Sequence, residues 1–267
     1  YRRHQNLQKM QDIVKISVNA LDMPKDQIEE DYQKLLQIVH EDKVKAVNDL
    51  ESGKKDMAEY YTMWVHQIKT PIAAMRLLLQ SEDTPKSREC AEELFHIEQY
   101  VEMALHYSRL DSDTTDFVIR KTSLDEIVRE AVRKYAKLFI RKKIRLDYQS
   151  LNIEVLTDEK WLEFVIEQIL SNAVKYTPKG TVSIYMENED TLIIEDTGIG
   201  IRAEDLPRVC ERGYTGYNGH SDKRSTGIGL YLCRRVLEQM SHSIEIESEM
   251  GKGTRVKIGL ITKERIH

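Results

Sequence analysis

Four short stretches of this chain carry side chains suited to chemistry. The first is His66-Gln67-Ile68-Lys69-Thr70-Pro71. A neutral imidazole nitrogen is a nucleophile, provided its other nitrogen holds the proton and is oriented by a neighbour. Pro71 falls inside an otherwise helical pattern, five residues on. It frees the carbonyl of Gln67 and bends a helix beside the histidine. The second stretch is Asn172-Ala173-Val174-Lys175-Tyr176. Asn172 and Lys175 are three apart and share a helix face. An amide oxygen suits the hard cation Mg2+, and a lysine meets phosphate as a point charge. The same residues also read as a helix end, with Lys175 near its dipole and Pro178 as the stop. The third is Asp196-Thr197-Gly198-Ile199-Gly200, in which a carboxylate can accept a hydrogen bond from an exocyclic amine and glycines let a flat ligand approach the backbone. A plain turn has the same pattern. The fourth, Ser225-Thr226-Gly227-Ile228-Gly229-Leu230, closes a polar loop and opens a helix, so its N–H groups form an anion site or simply a helix start.

Each stretch needs an element to hold it. Trp64, Ile68, Ile72, Met75 and Leu79 recur at helical spacing and make one apolar stripe. His66 is about 200° round the helix from Trp64, so it faces away from that stripe. Leu94, Ile97, Val101, Ala104 and Leu110 predict a second helix, and the polar Ser81–Pro85 link makes the pair an antiparallel hairpin. One hairpin buries little, whereas two copies make a four-helix bundle, so a homodimer is expected. Residues 1–50 read as a charged, weakly patterned helical linker around a break at Pro24.

From residue 116 the texture changes, and all glycines but Gly53 lie beyond residue 179. Strands are predicted at Phe117–Arg120, Ile144–Tyr148, Ile153–Leu156, 181–187, 191–196, 243–249 and 253–260. Helices are predicted from Ser123 to about 140, from Asp158 to Tyr176, and up to Met240. Ser123 with Glu126 forms a capping box, and Asp158 is the second cap. This mixture predicts an α+β sandwich, a mixed sheet with helices on one face.

Composition narrows the function. A net charge of -5 gives no electrostatic support for nucleic-acid binding. Cys90, Cys210 and Cys233 are scattered, with no CxxC pair, so neither a disulfide framework nor a zinc site is indicated. All three read as buried filler in a reducing compartment. No apolar run approaches the roughly 18 residues of a membrane span.

Taken in order, Asn-x-x-Lys-Tyr, Asp-x-Gly-x-Gly, Thr-Gly-x-Gly-Leu and Gly251-Lys252-Gly253-Thr254 resemble the ATP-binding domain of sensor histidine kinases. The wider superfamily includes gyrase-type, heat-shock-chaperone-type and mismatch-repair ATPases. The resemblance covers about 116–260. The His66–Pro71 segment resembles the phosphoacceptor box of dimeric histidine kinases, whose usual form is His-Glu-x-Lys/Arg-Thr-Pro. Here Gln67 replaces the carboxylate. The longer stretch Trp64–Ala74 is similar to the intramembrane-sensing kinases that work with peptide-antibiotic ABC transporters in Gram-positive bacteria.

The resemblance implies ATP-dependent phosphorylation of His66, transfer to an aspartate of a response regulator, and phosphatase activity on that regulator. It implies that Gln67 orients His66, Lys69 offsets phosphate charge, and Thr70 holds the hydrolytic water. On the ATP side, Asn172 holds Mg2+. Lys175 and the 225–229 backbone hold phosphates, with Thr226, Gly227, Gly229 and Leu230 in that loop. Asp196, Gly198 and Gly200 read adenine, and Tyr176 stacks near the base. A lid spans about 202–226, with Tyr214 as its aromatic anchor. Implied partners are a second copy, a response regulator and, in a longer protein, an ABC transporter permease. The location implied is the cytoplasmic portion of a membrane protein, with Tyr1-Arg2-Arg3-His4 as a juxtamembrane end. The domains expected are a linker at 1–50, a dimerisation and phosphotransfer hairpin at 51–115, and a catalytic domain at 116–267. Water-using ATPases of the superfamily carry a glutamate one turn before the asparagine. That place here is Gln168, which disfavours hydrolysis. A non-catalytic ATP-binding scaffold is the rival from another class.

Overall fold

The computed structural model describes residues 23–81, 84–110, 117–216 and 226–261. Tyr1–His4, most of the 1–50 linker before Pro24, and residues 217–225 of the expected lid, Ser225 among them, lie outside the described residues. The chain divides into two compact units, one ending at Val101 and the other beginning at Glu102.

The first unit is helical. Helix α1 (Gln27–Gln80) runs for 54 residues through both residue 50 and Pro71. Its start is fixed by Asp26, whose carboxylate accepts the Glu29 N–H at 2.8 Å. Helix α2 (Pro85–Leu110) is opened by Thr84 and Ser87. Thr84 Oγ1 accepts the Ser87 N–H at 3.0 Å, and Ser87 Oγ accepts the Thr84 N–H at 2.9 Å. Across the hairpin Arg76 pairs with Glu98. Among the described residues, the buried apolar ones of this unit are Val65 and Ile72 on α1 and Leu94 and Val101 on α2. Each pair is two helical turns apart, which aligns it along one seam. Of the expected stripe only Ile72 is buried, and Met75 is exposed. Cys90 is exposed too, contrary to the buried reading, because it precedes the buried run that starts at Leu94. Cys210 is half-buried and Cys233 buried.

The second unit is the α+β sandwich. Its elements are β1 (Arg120–Ser123), α3 (Leu124–Lys142), β2 (Arg145–Tyr148), β3 (Glu154–Thr157), α4 (Glu159–Tyr176), β4 (Thr181–Met186), β5 (Thr191–Asp196), α5 (Gly229–Gln239), β6 (Ser243–Glu249) and β7 (Gly253–Gly259). A five-stranded sheet runs in the order β2-β4-β5-β7-β6. Only β2 and β4 pair in parallel; the other neighbours are antiparallel. Strands β1 and β3 form a separate antiparallel pair.

The first strand is shifted from its expected place at 117–120. Phe117 leaves the ladder to pack on Trp161, 5.4 Å between ring centres, and the Val118 N–H bonds Asp158 at 2.9 Å. The ladder begins only where Arg120 meets Thr157. Both helix caps fall where the sequence put them. Ser123 accepts from the Glu126 N–H, and Asp158 accepts from Lys160 and Trp161.

Alternation along the strands separates two sheet faces. Val182, Ile184, Leu192, Ile194 and Ile258 face the core and are almost fully buried. Helix α4 packs on β5, α5 packs on β6, and α4 lies between α3 and α5. The opposite face carries Tyr185, Glu195, Arg255 and Lys257, tied to one another and to Glu187 and Glu247. No helix among the described residues is long and apolar enough to cross a membrane.

Candidate active site

The end of β5 delivers Asp196 into the core, where it is 8% exposed. Its Oδ1 accepts the Gly198 N–H at 2.8 Å and faces the Thr177 hydroxyl at 3.4 Å. Burial pushes its carboxyl above the usual range, opposed by the N–H groups of Gly198 and Thr254. Gly198 is required by contact: a Cβ there would stand 2.7 Å from that carboxylate oxygen. Gly200 has φ +71, and its Cβ would meet the Glu249 carbonyl oxygen at 2.1 Å. The turn is fastened to α4 by the Ile199 N–H, which donates to the Tyr176 carbonyl at 3.1 Å.

Helix α4 links this turn to the other glycine loop. Its Gln168 side-chain oxygen lies 3.0 Å from where a Cβ on Gly229 would stand. The start of α5 therefore rests against α4 one turn before Asn172, and the Asp196 turn rests against α4 one turn after it. Asn172 lies between the two loops, half-buried. Its carboxamide has no hydrogen-bond partner among the described residues. Lys175 Nζ stands 5.2 Å from the Tyr176 ring centre.

Helix α5 starts without a side-chain cap, unlike α1, α3 and α4. Its first-turn N–H groups are thus left for another acceptor. Gly227, at φ +65, lets the incoming loop press against Gly213 and Tyr214, where a Cβ would meet backbone at 2.5 Å. The Gly213 N–H donates to the Gly227 carbonyl at 3.0 Å. Tyr214 is held by two partners: its hydroxyl donates to Asp205, and Arg208 lies over its ring at 4.3 Å. Thr226 Oγ1 reaches the Ile228 N–H at 3.4 Å, and Leu230 is half-buried in the first turn of α5.

In the first unit His66 is exposed, beside buried Val65. The Thr70 hydroxyl donates to the His66 carbonyl at 3.4 Å, so both sit on one face, one turn apart. Gln67 and Lys69 are exposed as well. The structure thus gathers His66, Gln67, Lys69 and Thr70 in one unit. It gathers Asn172, Lys175, Tyr176, Asp196, Gly198, Gly200, Tyr214, Thr226, Gly227, Gly229 and Leu230 in the other.

Residues 157–264 match the family described as histidine kinase-, DNA gyrase B- and HSP90-like ATPases. The sensor histidine kinase YxdK of Bacillus subtilis is 33% identical over 87% of this chain and 73% of its own length. The chain belongs to the sensor histidine kinases. A second member of that family, the sensor histidine kinase GraS of Staphylococcus haemolyticus, is 37% identical over 72% of this chain and 58% of its own. The chain thus spans less than two thirds of that kinase. The crystal structure of full-length ShkA in complex with AMPPNP shares the fold at a TM-score of 0.56 and 21% identity. It covers 78% of this chain, and the match covers 47% of the ShkA chain.

Sequence reasoning missed one feature of this histidine kinase. Glu167, adjacent to Gln168, is buried and paired with Lys134 at 2.7 Å. Lys134 also holds Glu102 at 2.9 Å. Burial raises the Glu167 carboxyl to about 7 against the pull of Lys134. An acidic residue on the core side of an amphipathic helix, with a lysine on the preceding helix, was the available signal.

Proposed function

We propose that this chain phosphorylates itself on His66 with ATP and passes the phosphoryl group to an aspartate of a response regulator. The reading is carried by the surroundings of Asn172. The place one turn before it holds Gln168, an amide that cannot act as a base at neutral pH. The carboxylate adjacent to it in sequence, Glu167, is held by Lys134. The γ-phosphate therefore needs an acceptor other than activated water, and His66 is an exposed nucleophile on the helical unit of the same chain.

The residues fit the nucleotide. Asp196 offers a buried carboxylate to an amine, the turn beside it packs closely against the end of α4 because Gly198 has no side chain, and the start of α5 offers uncapped N–H donors. Lys175 supplies charge to phosphate. The side-chain oxygen of Asn172 suits Mg2+, which would neutralise phosphate charge when bound. Phosphoryl transfer depends mainly on such positioning and charge neutralisation. At His66, one ring nitrogen forms the N–P bond as the bond to ADP breaks. Gln67 accepts the N–H of the other nitrogen and orients the ring. Lys69 offsets the charge of the phosphohistidine. Thr70, fixed on the same face, positions water for dephosphorylating the regulator. The exposed apolar side chains of the hairpin support a homodimer. The similarity of Trp64–Ala74 to intramembrane-sensing kinases supports a membrane-anchored kinase responding to peptide antibiotics or envelope stress, with a transporter permease as partner.

The test is incubation with γ-labelled ATP and Mg2+, followed by acid and alkali treatment. Label lost in acid, retained in alkali and absent from His66→Ala supports the reading. Released free phosphate without protein label would overturn it in favour of hydrolysis.

A further inference from the structure

Residues 131–146 hold seven basic residues and no acidic one, in a chain whose net charge is -5. They form the second half of α3 and lead into β2. Both elements lie at one edge of the sandwich. Helix α3 flanks α4 on the side away from α5, and β2 is the outermost strand, beside β4. The edge is polarised along its length. At one end the Tyr148 hydroxyl donates to Asp125, in the first turn of α3, and Arg129 pairs with the same carboxylate. Glu126 and Asp147 are exposed there. At the other end α3 and β2 expose only positive charge.

Lys137, Arg141, Lys143 and Arg145 are exposed at that end. Exposed Lys179 joins them, because the Arg145 N–H donates to the neighbouring Gly180 carbonyl at 2.9 Å. Lys137, Lys143, Arg145 and Lys179 have no carboxylate partner among the described residues. The inner basic residues are used otherwise. Lys134 is paired with Glu167 and Glu102, and Lys142 Nζ donates to the Val174 carbonyl at 2.7 Å. Two features of the outer group bring the fold no stability. Ile140 stands on the same helix face, three residues past Lys137, and is 77% exposed, more than any other large apolar side chain described in this unit. Lys143 closes α3 at φ +54, a conformation that favours glycine.

We propose that this edge docks on an anionic lipid surface, with its cations among the headgroups and Ile140 reaching the boundary with the acyl chains. Lipid is the polyanion that rewards an exposed isoleucine set between cations. A nucleic acid would reward exposed aromatic rings, and Tyr135 and Phe139 of α3 are both buried. The rest of the chain carries the excess of acidic residues, so an anionic surface repels it and admits this edge first. Lys142 then links the docked edge to the last turn of α4, which carries Lys175. The docking adds to the kinase reading and does not depend on it.

The experiment sediments the whole chain with phosphatidylcholine vesicles that contain or lack phosphatidylglycerol. Binding should require phosphatidylglycerol and be lost at about 1 M salt, where the screening length falls to about 3 Å. Each Lys or Arg near such a surface strengthens binding about fivefold, so Lys137→Gln with Arg145→Gln should weaken it about twentyfold or more. Ile140→Ser should weaken it at unchanged charge. Lys143→Gly should weaken it too while raising the urea midpoint, since glycine takes φ +54 without strain. Equal binding to both kinds of vesicle overturns the proposal. So does an equal loss from Lys121→Gln with Lys160→Gln, which remove the same charge from β1 and from the first turn of α4. Tighter capture by duplex DNA or polyglutamate, lost in the same edge variants, overturns it in favour of another polyanion. Each of these outcomes leaves phosphorylation of His66 as it stands.

Discussion

Gly198 lies so close to Tyr176 that a Cβ built on it would stand 2.4 Å from the Tyr176 carbonyl oxygen. This contact joins the end of α4 to the turn that carries Asp196, and so, in the site proposed above, joins the phosphate side to the base side. Gly198→Ala should force the two apart. Overpacking of this kind costs about 1–3 kcal/mol. We expect a matching fall in the urea midpoint and at least a tenfold loss of nucleotide affinity, read by titration with a fluorescent ATP analogue. Unchanged affinity would show that the turn does not meet the nucleotide.

Two buried groups pull the pH dependence of stability in opposite directions. Glu167 is raised from 4.5 to about 7 by burial, so the folded state holds its proton longer than the unfolded state. Its contribution is full below 4.5 and is lost as pH rises towards 7. His242 is buried, accepts the Ile261 N–H at Nδ1 and faces Thr157 at 3.1 Å through Nε2. Burial lowers it from 6.5 to about 4, so its contribution is full above 6.5 and lost as pH falls towards 4. Each is worth on the order of 3 kcal/mol. Between about pH 4.5 and 6.5 the two should nearly cancel. Urea unfolding at several pH values checks this. Relative to the parent, Glu167→Gln should gain stability with rising pH across that window, and His242→Gln should gain it with falling pH. Parallel curves for parent and variants would contradict the assignment.

In the proposed phosphoacceptor turn, Gln67 stands where the family's usual box has a carboxylate. An amide orients the ring but does not take its proton. Gln67→Glu should therefore speed autophosphorylation by about tenfold or more, within the range of general-base catalysis. Single-turnover labelling at saturating ATP measures it. Equal rates would mean that proton removal is not limiting in this kinase.

Local signals were legible in the sequence and distant ones were not. Ser123 and Asp158 cap their helices because a cap acts within one turn of its own position. The Asp196 turn and the α5 start were readable because glycine at a close approach leaves a local mark. The partnership of Gln168 with Gly229 was not, since it spans two elements that meet only in the folded chain. The Lys134–Glu167 pair was hidden for the same reason, although it decides how the residue beside Gln168 is read. On α1 the stripe through Trp64 was visible, but which residues the chain buries by itself was not. Val65 and Ile72 are inside because α2 packs one place beside that stripe.

Fragment mass spectrometry of the chain after brief incubation with ATP and Mg2+, kept at alkaline pH, tests the central claim most directly. A single added phosphoryl group on His66, absent when Asn172→Ala is incubated alike, is the expected result. A phosphoryl group on Thr70 or elsewhere, or none while ATP is consumed, would contradict it.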